Sequence, residues 1–133
     1  MQNKIVVRYQ DGRLTKGFTS DFMPNKDVFH VVLANSSPDA KPVIVNMVEL
    51  KAVFFVKDFV GNSEYNDKKD FDPAKPVSGR KIKVVFKDGE SLVGTTQGYQ
   101  PGRQGFFVFP ADSQSNIERF FVVSLAAKTV SFL

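Results

Sequence analysis

The feature that most constrains the fold of this chain is an internal repeat. When the sequence is shifted by 77 positions, residues 4–56 align with residues 81–133 without a gap. Of the 53 aligned pairs, 16 are identical, including Asp11-Gly12 with Asp88-Gly89. A long period that occurs only twice is typical of two copies of one small fold, since solenoids need three or more stacked units.

The repeat divides the chain into two units and a connector. We predict a first unit at residues 1–58 and a second unit at residues 80–133. Residues 59–79 do not repeat and are rich in Asp, Asn, Lys, Pro and Gly, which is typical of a connector. Phe59 and Phe71 are large apolar side chains that a free linker does not need, so we expect ordered packing of the connector.

Each unit is predicted to consist of short β-strands. Asp11-Gly12 and Asp88-Gly89 end the first strand of each unit, where a tight hairpin needs residues that tolerate positive φ. No segment has a sustained helical period, and only one short helical turn fits before the last strand of each unit. The strands expected in the first unit are Lys4–Tyr9, Leu14–Phe22, Phe29–Leu33, Val43–Met47 and Ala52–Val56.

Five short strands in about 53 residues, the first two in a tight hairpin, predict an all-β protein of two homologous SH3-like or Sm-like barrels in tandem. Units this small bury only about 60% of the surface of the unfolded chain, so we expect the two barrels to pack on each other. Strand alternation leaves apolar side chains on both faces of the second unit, and we assign Phe107, Phe109 and Phe121 to the interface. A homodimer or a protein partner that covers the same surface is the alternative.

Composition excludes several classes of site. The chain has no cysteine and one histidine, His30, so it cannot build disulfides, thiolate nucleophiles, His-based triads or multi-histidine metal sites. We therefore predict a protein that is not an enzyme and that needs no metal or cofactor. No apolar run approaches the length of a membrane helix and no signal peptide opens the sequence, so we expect a cytoplasmic protein without membrane contact.

The net charge of +4 is spread along the chain and does not by itself indicate nucleic-acid binding. Two basic residues, Lys26 and Arg103, occupy equivalent loop positions after Pro24 and Pro101. We identify them as candidate binding residues, together with the residues of a polar loop in the second unit and the arginine that follows it: Asp112, Ser113, Ser115, Asn116 and Arg119. The simpler interpretation is that the polar residues shape their own loop and that the basic residues are solvated.

Two resemblances add to this interpretation. The segment from Asp11-Gly12 to Gly17 resembles the first motif of Sm-like proteins, which implies a bent second strand and a small barrel. Their nucleotide-binding determinants, a loop Asn and a later Arg-Gly pair, are missing from both copies, and no Arg-x-x-x-Arg run supports a PilZ-type receptor. Over almost their full length, the copies resemble an uncharacterised bacterial family of paired modules, on motifs such as Gly105–Asn116.

We therefore expect a non-catalytic adaptor or recognition module that binds a protein partner. Two alternatives stay open. One is the binding of single-stranded nucleic acid through Lys26, Arg103, Arg8 and Lys83, with Phe side chains as stacking surfaces. The other is a small ligand bound between the two units. We expect a monomer or a homodimer, and strand edges offer a third route to association.

Overall fold

The computed structural model describes residues 2–37, 39–59, 79–99, 102–111 and 116–133. These residues form ten strands and two short 3-10 helices, η1 (Met47–Glu49) and η2 (Ser124–Ala126). The strands are β1 (Asn3–Tyr9), β2 (Leu14–Thr19), β3 (Val28–Leu33), β4 (Val43–Asn46), β5 (Leu50–Val56), β6 (Arg80–Phe86), β7 (Ser91–Thr96), β8 (Gly105–Pro110), β9 (Ile117–Val123) and β10 (Ala127–Phe132).

The first half (β1–β5) and the second half (β6–β10) have the same order of elements. A shift of 77 residues carries β1, β2, β3 and η1 onto β6, β7, β8 and η2 with identical bounds. The register of the first hairpin is also the same, because Val7 lies opposite Thr15 and Val84 lies opposite Leu92. The aligned positions of the sequence therefore occupy equivalent positions in the two halves.

The prediction of an all-β protein is confirmed, but the strands do not form two separate closed barrels. They form one antiparallel sheet of ten strands in the order β10-β6-β7-β8-β9-β5-β1-β2-β3-β4. The physical reason is the pairing of β5. One edge of β5 pairs with β1, and the other edge pairs with β9 of the second half. The edge of β5 that could have closed the first half is thereby used to join the halves.

Each half nevertheless curls strongly. The strands of the first half run in the order β5-β1-β2-β3-β4, so β4 and β5 lie at its opposite ends. In a flat sheet with strands about 4.8 Å apart these ends would be about 19 Å from each other. Only the three residues of η1 connect the two strands, and they span little more than about 10 Å. The half-sheet must therefore bend around its own core.

The two cores share the central pair of strands, β5 and β9. Successive side chains of a strand point to opposite faces, so Val53 and Phe55 pack in the first core, and Ala52 and Phe54 pack in the second. Strand β9 does the same with Phe121 and Phe120, and all seven residues of β5 are buried as a result. The halves are thus held together by continuous hydrophobic cores on both faces of the junction.

The Asp-Gly turns have the conformation that the sequence requires. Gly12 and Gly89 have φ angles of +94° and +93°. The carboxylates of Asp11 and Asp88 accept hydrogen bonds of 3.0 Å from the backbone N–H two residues later. Glycine avoids the Cβ clash of this left-handed region, and aspartate holds the turn.

Most of the connector, including Phe71, lies outside the described residues. Its first residue, Phe59, packs edge-on against Phe18 of β2, with ring centroids 5.2 Å apart. The Lys16 ammonium donates a hydrogen bond of 3.2 Å to the Phe59 carbonyl oxygen. The start of the connector is therefore anchored to the first half.

Candidate binding site at the junction of the halves

A pocket of about 540 Å³ opens where the second half meets the loop after β2 of the first half. Its walls combine arginine and phenylalanine side chains with small residues that leave the space open. The lining residues are Pro24, Gln97, Gly98, Arg103, Gly105, Phe106, Phe107, Phe109, Arg119 and Phe121. Among these residues there are two cations and no acid, so the pocket favours an anionic group.

Arg119 lies on β9, two residues before Phe121, and therefore on the same face of the sheet. Its guanidinium lies over the Phe55 ring, 4.5 Å from the centroid, and 5.3 Å from the centroid of Phe107. Its Nε is buried and has no hydrogen-bond partner within the described part of the chain. Contacts with ring faces thus hold the guanidinium in place without neutralising it.

Arg103 enters the pocket from the loop between β7 and β8. This loop contacts the equivalent loop of the first half, because the Gln104 side-chain amide donates hydrogen bonds to the carbonyl oxygens of Lys26 (2.7 Å) and Pro24 (3.3 Å). The two candidate basic loops are therefore neighbours. Arg103 lines the pocket, whereas Lys26 is exposed beside it and is not among the lining residues.

The three aromatic residues assigned to an apolar interface lie at increasing distance from the core. Phe121 is fully buried in the first core, and Gly105 makes room for it, because a Cβ at Gly105 would overlap the Phe121 ring. Phe107 is half-buried and packs edge-on against Phe22 of the first half and against Phe121. Phe109 remains 42% exposed at the pocket. The aromatic surface thus runs from the core to solvent.

The predicted polar loop is described only at its end. Asp112, Ser113 and Ser115 lie outside the described residues. The Asn116 side chain donates a hydrogen bond of 2.7 Å to the Asp58 carbonyl oxygen and accepts one of 3.0 Å from the Asp58 N–H. The Asn116 backbone carbonyl accepts another, of 2.8 Å, from the Lys57 N–H. Asn116 therefore extends the pairing of β5 with β9.

A model of a protein family of unknown function matches residues 1–133, the whole sequence. The chain belongs to DUF6982. This membership confirms the predicted resemblance to a family without an assigned function, and it assigns no ligand to the pocket. No curated protein and no solved structure matches the chain.

Sequence reasoning missed one cluster of charged residues in this DUF6982 chain. Lys51 is buried within β5, and its ammonium lies 2.8 Å from Asp88 Oδ2, 2.7 Å from Glu90 Oε1 and 4.8 Å from the centroid of the Phe86 ring. The hydrogen bond from Lys51, together with the Glu90 N–H, lowers the pKa of Asp88. The signal in the sequence was a lysine inside an otherwise apolar strand.

Two further carboxylates of the DUF6982 chain are held in their ionised form by local hydrogen bonds. The backbone N–H of Arg13, followed by its guanidinium, lowers the pKa of Asp11. At Asp21, burial would raise the pKa, but hydrogen bonds from the His30 N–H, the His30 ring and the Thr19 hydroxyl outweigh it and lower the pKa. The Asp21 carboxylate thereby joins the end of β2 to β3, with His30 Nδ1 2.7 Å from Oδ2.

The described residues of the DUF6982 chain contain no group of three or more His, Asp or Glu side chains with metal-binding geometry. They also contain no helix with the length and apolar character needed to cross a lipid bilayer. Of the predicted residues, Arg103, Phe107, Phe109, Arg119 and Phe121 line the pocket at the junction.

Proposed function

We propose that this protein is a non-catalytic recognition module that binds a protein partner, and that an acidic segment of the partner enters the pocket at the junction. The observation that carries the proposal is that Arg103 and Arg119 line the same pocket, whose described walls contain no acid. The curled five-stranded halves, each with a tight first hairpin and a 3-10 turn before its last strand, support SH3-like or Sm-like character as part of this proposal.

The guanidinium of Arg119 is suited to carboxylate recognition because it is already ordered. Its stacking on Phe55 and Phe107 restricts its rotamers, so binding costs less conformational entropy than it would for a free side chain. The apolar rings also lower the local dielectric, which strengthens a charge-assisted hydrogen bond to a ligand. Arg103, which is exposed, adds a second positive charge at the entrance.

The exposed ring of Phe109 defines the other part of the ligand. It lines the same pocket as the arginines and offers a flat apolar surface for an apolar or aromatic side chain of the partner. Aromatic residues, including phenylalanine, and arginine are enriched in protein interfaces relative to the rest of the surface. We therefore propose that the recognised segment combines a carboxylate with a neighbouring apolar side chain.

A small anionic ligand is the second candidate, because a volume of about 540 Å³ falls within the range of small-molecule pockets. Binding of single-stranded nucleic acid remains a prediction without a supporting observation at this pocket. Arg8, one of the four basic residues on which it was based, lies over the Phe54 ring and 4.0 Å from Glu90. It is not among the residues that line the pocket.

The test is a binding measurement with defined probes. Fluorescein-labelled peptides in which Glu or Asp alternates with Phe, Leu or Ser are titrated with the wild-type chain, and their affinities are read by anisotropy. We expect the acidic peptides with an apolar residue to bind best. Arg119→Gln and Arg103→Gln should each weaken binding by about tenfold or more, since a hydrogen bond to a charged group is worth about 1.5–3 kcal/mol.

Lys83→Gln is the matched control, because Lys83 is an exposed base on β6 that does not line the pocket. Equal affinity of all peptides for the wild type and the arginine variants would refute the proposal. Binding of nucleotides or carboxylate metabolites, but of no peptide, with the same loss in the arginine variants would favour the small ligand. Salt-sensitive binding of oligonucleotides that Lys83→Gln weakens as much as Arg119→Gln would favour nucleic acid.

A further inference from the structure

The junction of the halves uses two particular strands, and the strand equivalent to each of them has one edge without a partner strand in the described sheet. Strand β5, the last strand of the first half, pairs with β9, the fourth strand of the second half. The last strand of the second half is β10, and the fourth strand of the first half is β4; these two strands are the ends of the ten-stranded sheet. Within the part of the chain that the structure describes, the two outer edges of the sheet therefore correspond to the two sides of the internal junction.

We propose that copies of this chain associate head-to-tail, with β10 of one copy pairing antiparallel with β4 of the next. At the internal junction Ala52, Val53 and Phe54 lie opposite Val122, Phe121 and Phe120. The shift of 77 residues converts this register into the expected contacts between copies: Thr129 opposite Val45, Val130 opposite Ile44, and Ser131 opposite Val43.

Apolar side chains that are exposed on β4 and β10 support the pairing of these two edges with a second copy of the chain. Phe121 is fully buried at the internal junction, whereas its equivalent on the β4 edge, Ile44, is 62% exposed. Phe55 is 3% exposed, whereas its equivalent on the β10 edge, Phe132, is 38% exposed. Both edges thus keep apolar residues at positions that are buried at the internal junction, and burial of such residues favours association.

The charges at the internal junction are only partly repeated at the two edges. Lys51 pairs there with both Asp88 and Glu90. Lys51 and Asp88 are identical in the other copy of the repeat, as the exposed residues Lys128 and Asp11, but Arg13 stands at the position of Glu90 and its Nε lies 2.7 Å from Asp11 Oδ2. The contact between copies therefore has no equivalent of the Lys51–Glu90 ion pair and depends on strand pairing and on the apolar side chains.

The expected ladder is shorter than the internal one. Pro42 occupies the position equivalent to Arg119, and proline has no N–H to donate. The paired segment therefore consists of Val43–Val45 with Thr129–Ser131, which favours a reversible association that depends on concentration. Because the two edges differ, the contact is heterologous and produces a ring if the rotation closes or a filament if it does not.

The experiment is sedimentation velocity over a range of protein concentrations. We expect the weight-average mass of the wild type to rise with concentration. Ile44→Lys blocks the β4 edge and Val130→Lys blocks the β10 edge, and each variant alone should remain a monomer, with association at least tenfold weaker. A mixture of the two should form a dimer and nothing larger, because each variant retains one intact edge.

Val48→Lys is the matched control, because Val48 is an exposed apolar residue of η1 outside the paired strands, and it should assemble like the wild type. Circular dichroism checks the fold of each variant. Thr129→Lys, at an exposed position opposite Val45 in the proposed register, replaces Val130→Lys on the β10 side if that variant does not fold. A wild type that stays monomeric at every concentration would overturn the proposal, as would a mixture that forms no dimer or an Ile44→Lys variant that dimerises alone.

Discussion

The Lys51 ammonium lies 2.8 Å from the Asp88 carboxylate, and this ion pair joins the last strand of the first half to the first hairpin of the second. The lysine stem is buried, whereas the side chains of Asp88 and Glu90 are exposed by about half. The cation is therefore fixed by burial of its stem, and solvent moderates the attraction of its two acidic partners. This geometry leads to the first two predictions.

Lys51→Met should lower the free energy of unfolding by about 1 kcal/mol, because it keeps the apolar stem and removes the charge-assisted hydrogen bonds, whose acceptors regain water. Chemical denaturation in dilute protein measures the change. Lys128→Met is the matched control, since Lys128 is the exposed equivalent of Lys51 in the other half, and it should change stability by less than about 0.5 kcal/mol. Equal effects of the two substitutions would contradict a specific role of Lys51.

The difference in the free energy of unfolding between the wild type and Lys51→Met should depend on pH. The pKa of Asp88 in the folded state lies below its ordinary value of 3.8, so the folded state favours the ionised form. The stabilisation is therefore fully present above pH values in the ordinary aspartate range and is lost as the pH falls through the lowered pKa. Unfolding free energies measured for both proteins from neutral to acidic pH should converge only at the acidic end. Convergence already near neutral pH would disprove the assignment.

Gly12→Ala and Gly89→Ala should each destabilise the protein by about 1–2 kcal/mol, because an L-residue with a Cβ is strained at a φ near +94°. A Cβ at either position meets no atom within 4 Å, so the cost comes from the backbone alone. Gly98→Ala is the control: it also has open space, but its φ is not in the left-handed region. Thermal denaturation should separate Gly98→Ala from the other two variants, and similar losses for all three would argue against the turn geometry.

Phe107→Ala and Phe109→Ala should differ although the residues are two positions apart on the same strand. Phe107 contacts Phe22, Phe55 and Phe121, so its truncation should cost about 2 kcal/mol. Phe109 is 42% exposed, and its truncation should cost less than about 1 kcal/mol while weakening binding of the acidic peptides. Denaturation and anisotropy together distinguish the roles. Equal losses of stability would mean that Phe109 is part of the core.

Much of the local structure could be predicted from the pattern of residues. The Asp-Gly pairs mark hairpins, and the alternation in segments such as Lys4–Tyr9 marks strands, since both depend on neighbours in sequence. The sequence predicts the candidate site only as separate residues, with Arg103 and Arg119 in or near loops of the second unit. Their convergence with Phe107 and Phe109 in one pocket depends on the packing of β8 on β9 and could not be predicted from spacing.

By itself, the sequence determined that residues 4–56 align with residues 81–133, where most of the strands and the two Asp-Gly turns lie and which side chains of a strand share a face. The strands, turns and faces follow from local backbone sterics and from a period of two. Only the tertiary structure decided that β5 pairs with β9 rather than closing its own half. Apolar residues on both faces of β5 are compatible with either arrangement. The choice depends on contacts between residues far apart in the chain, whose hydrogen bonds and buried surface no local pattern specifies.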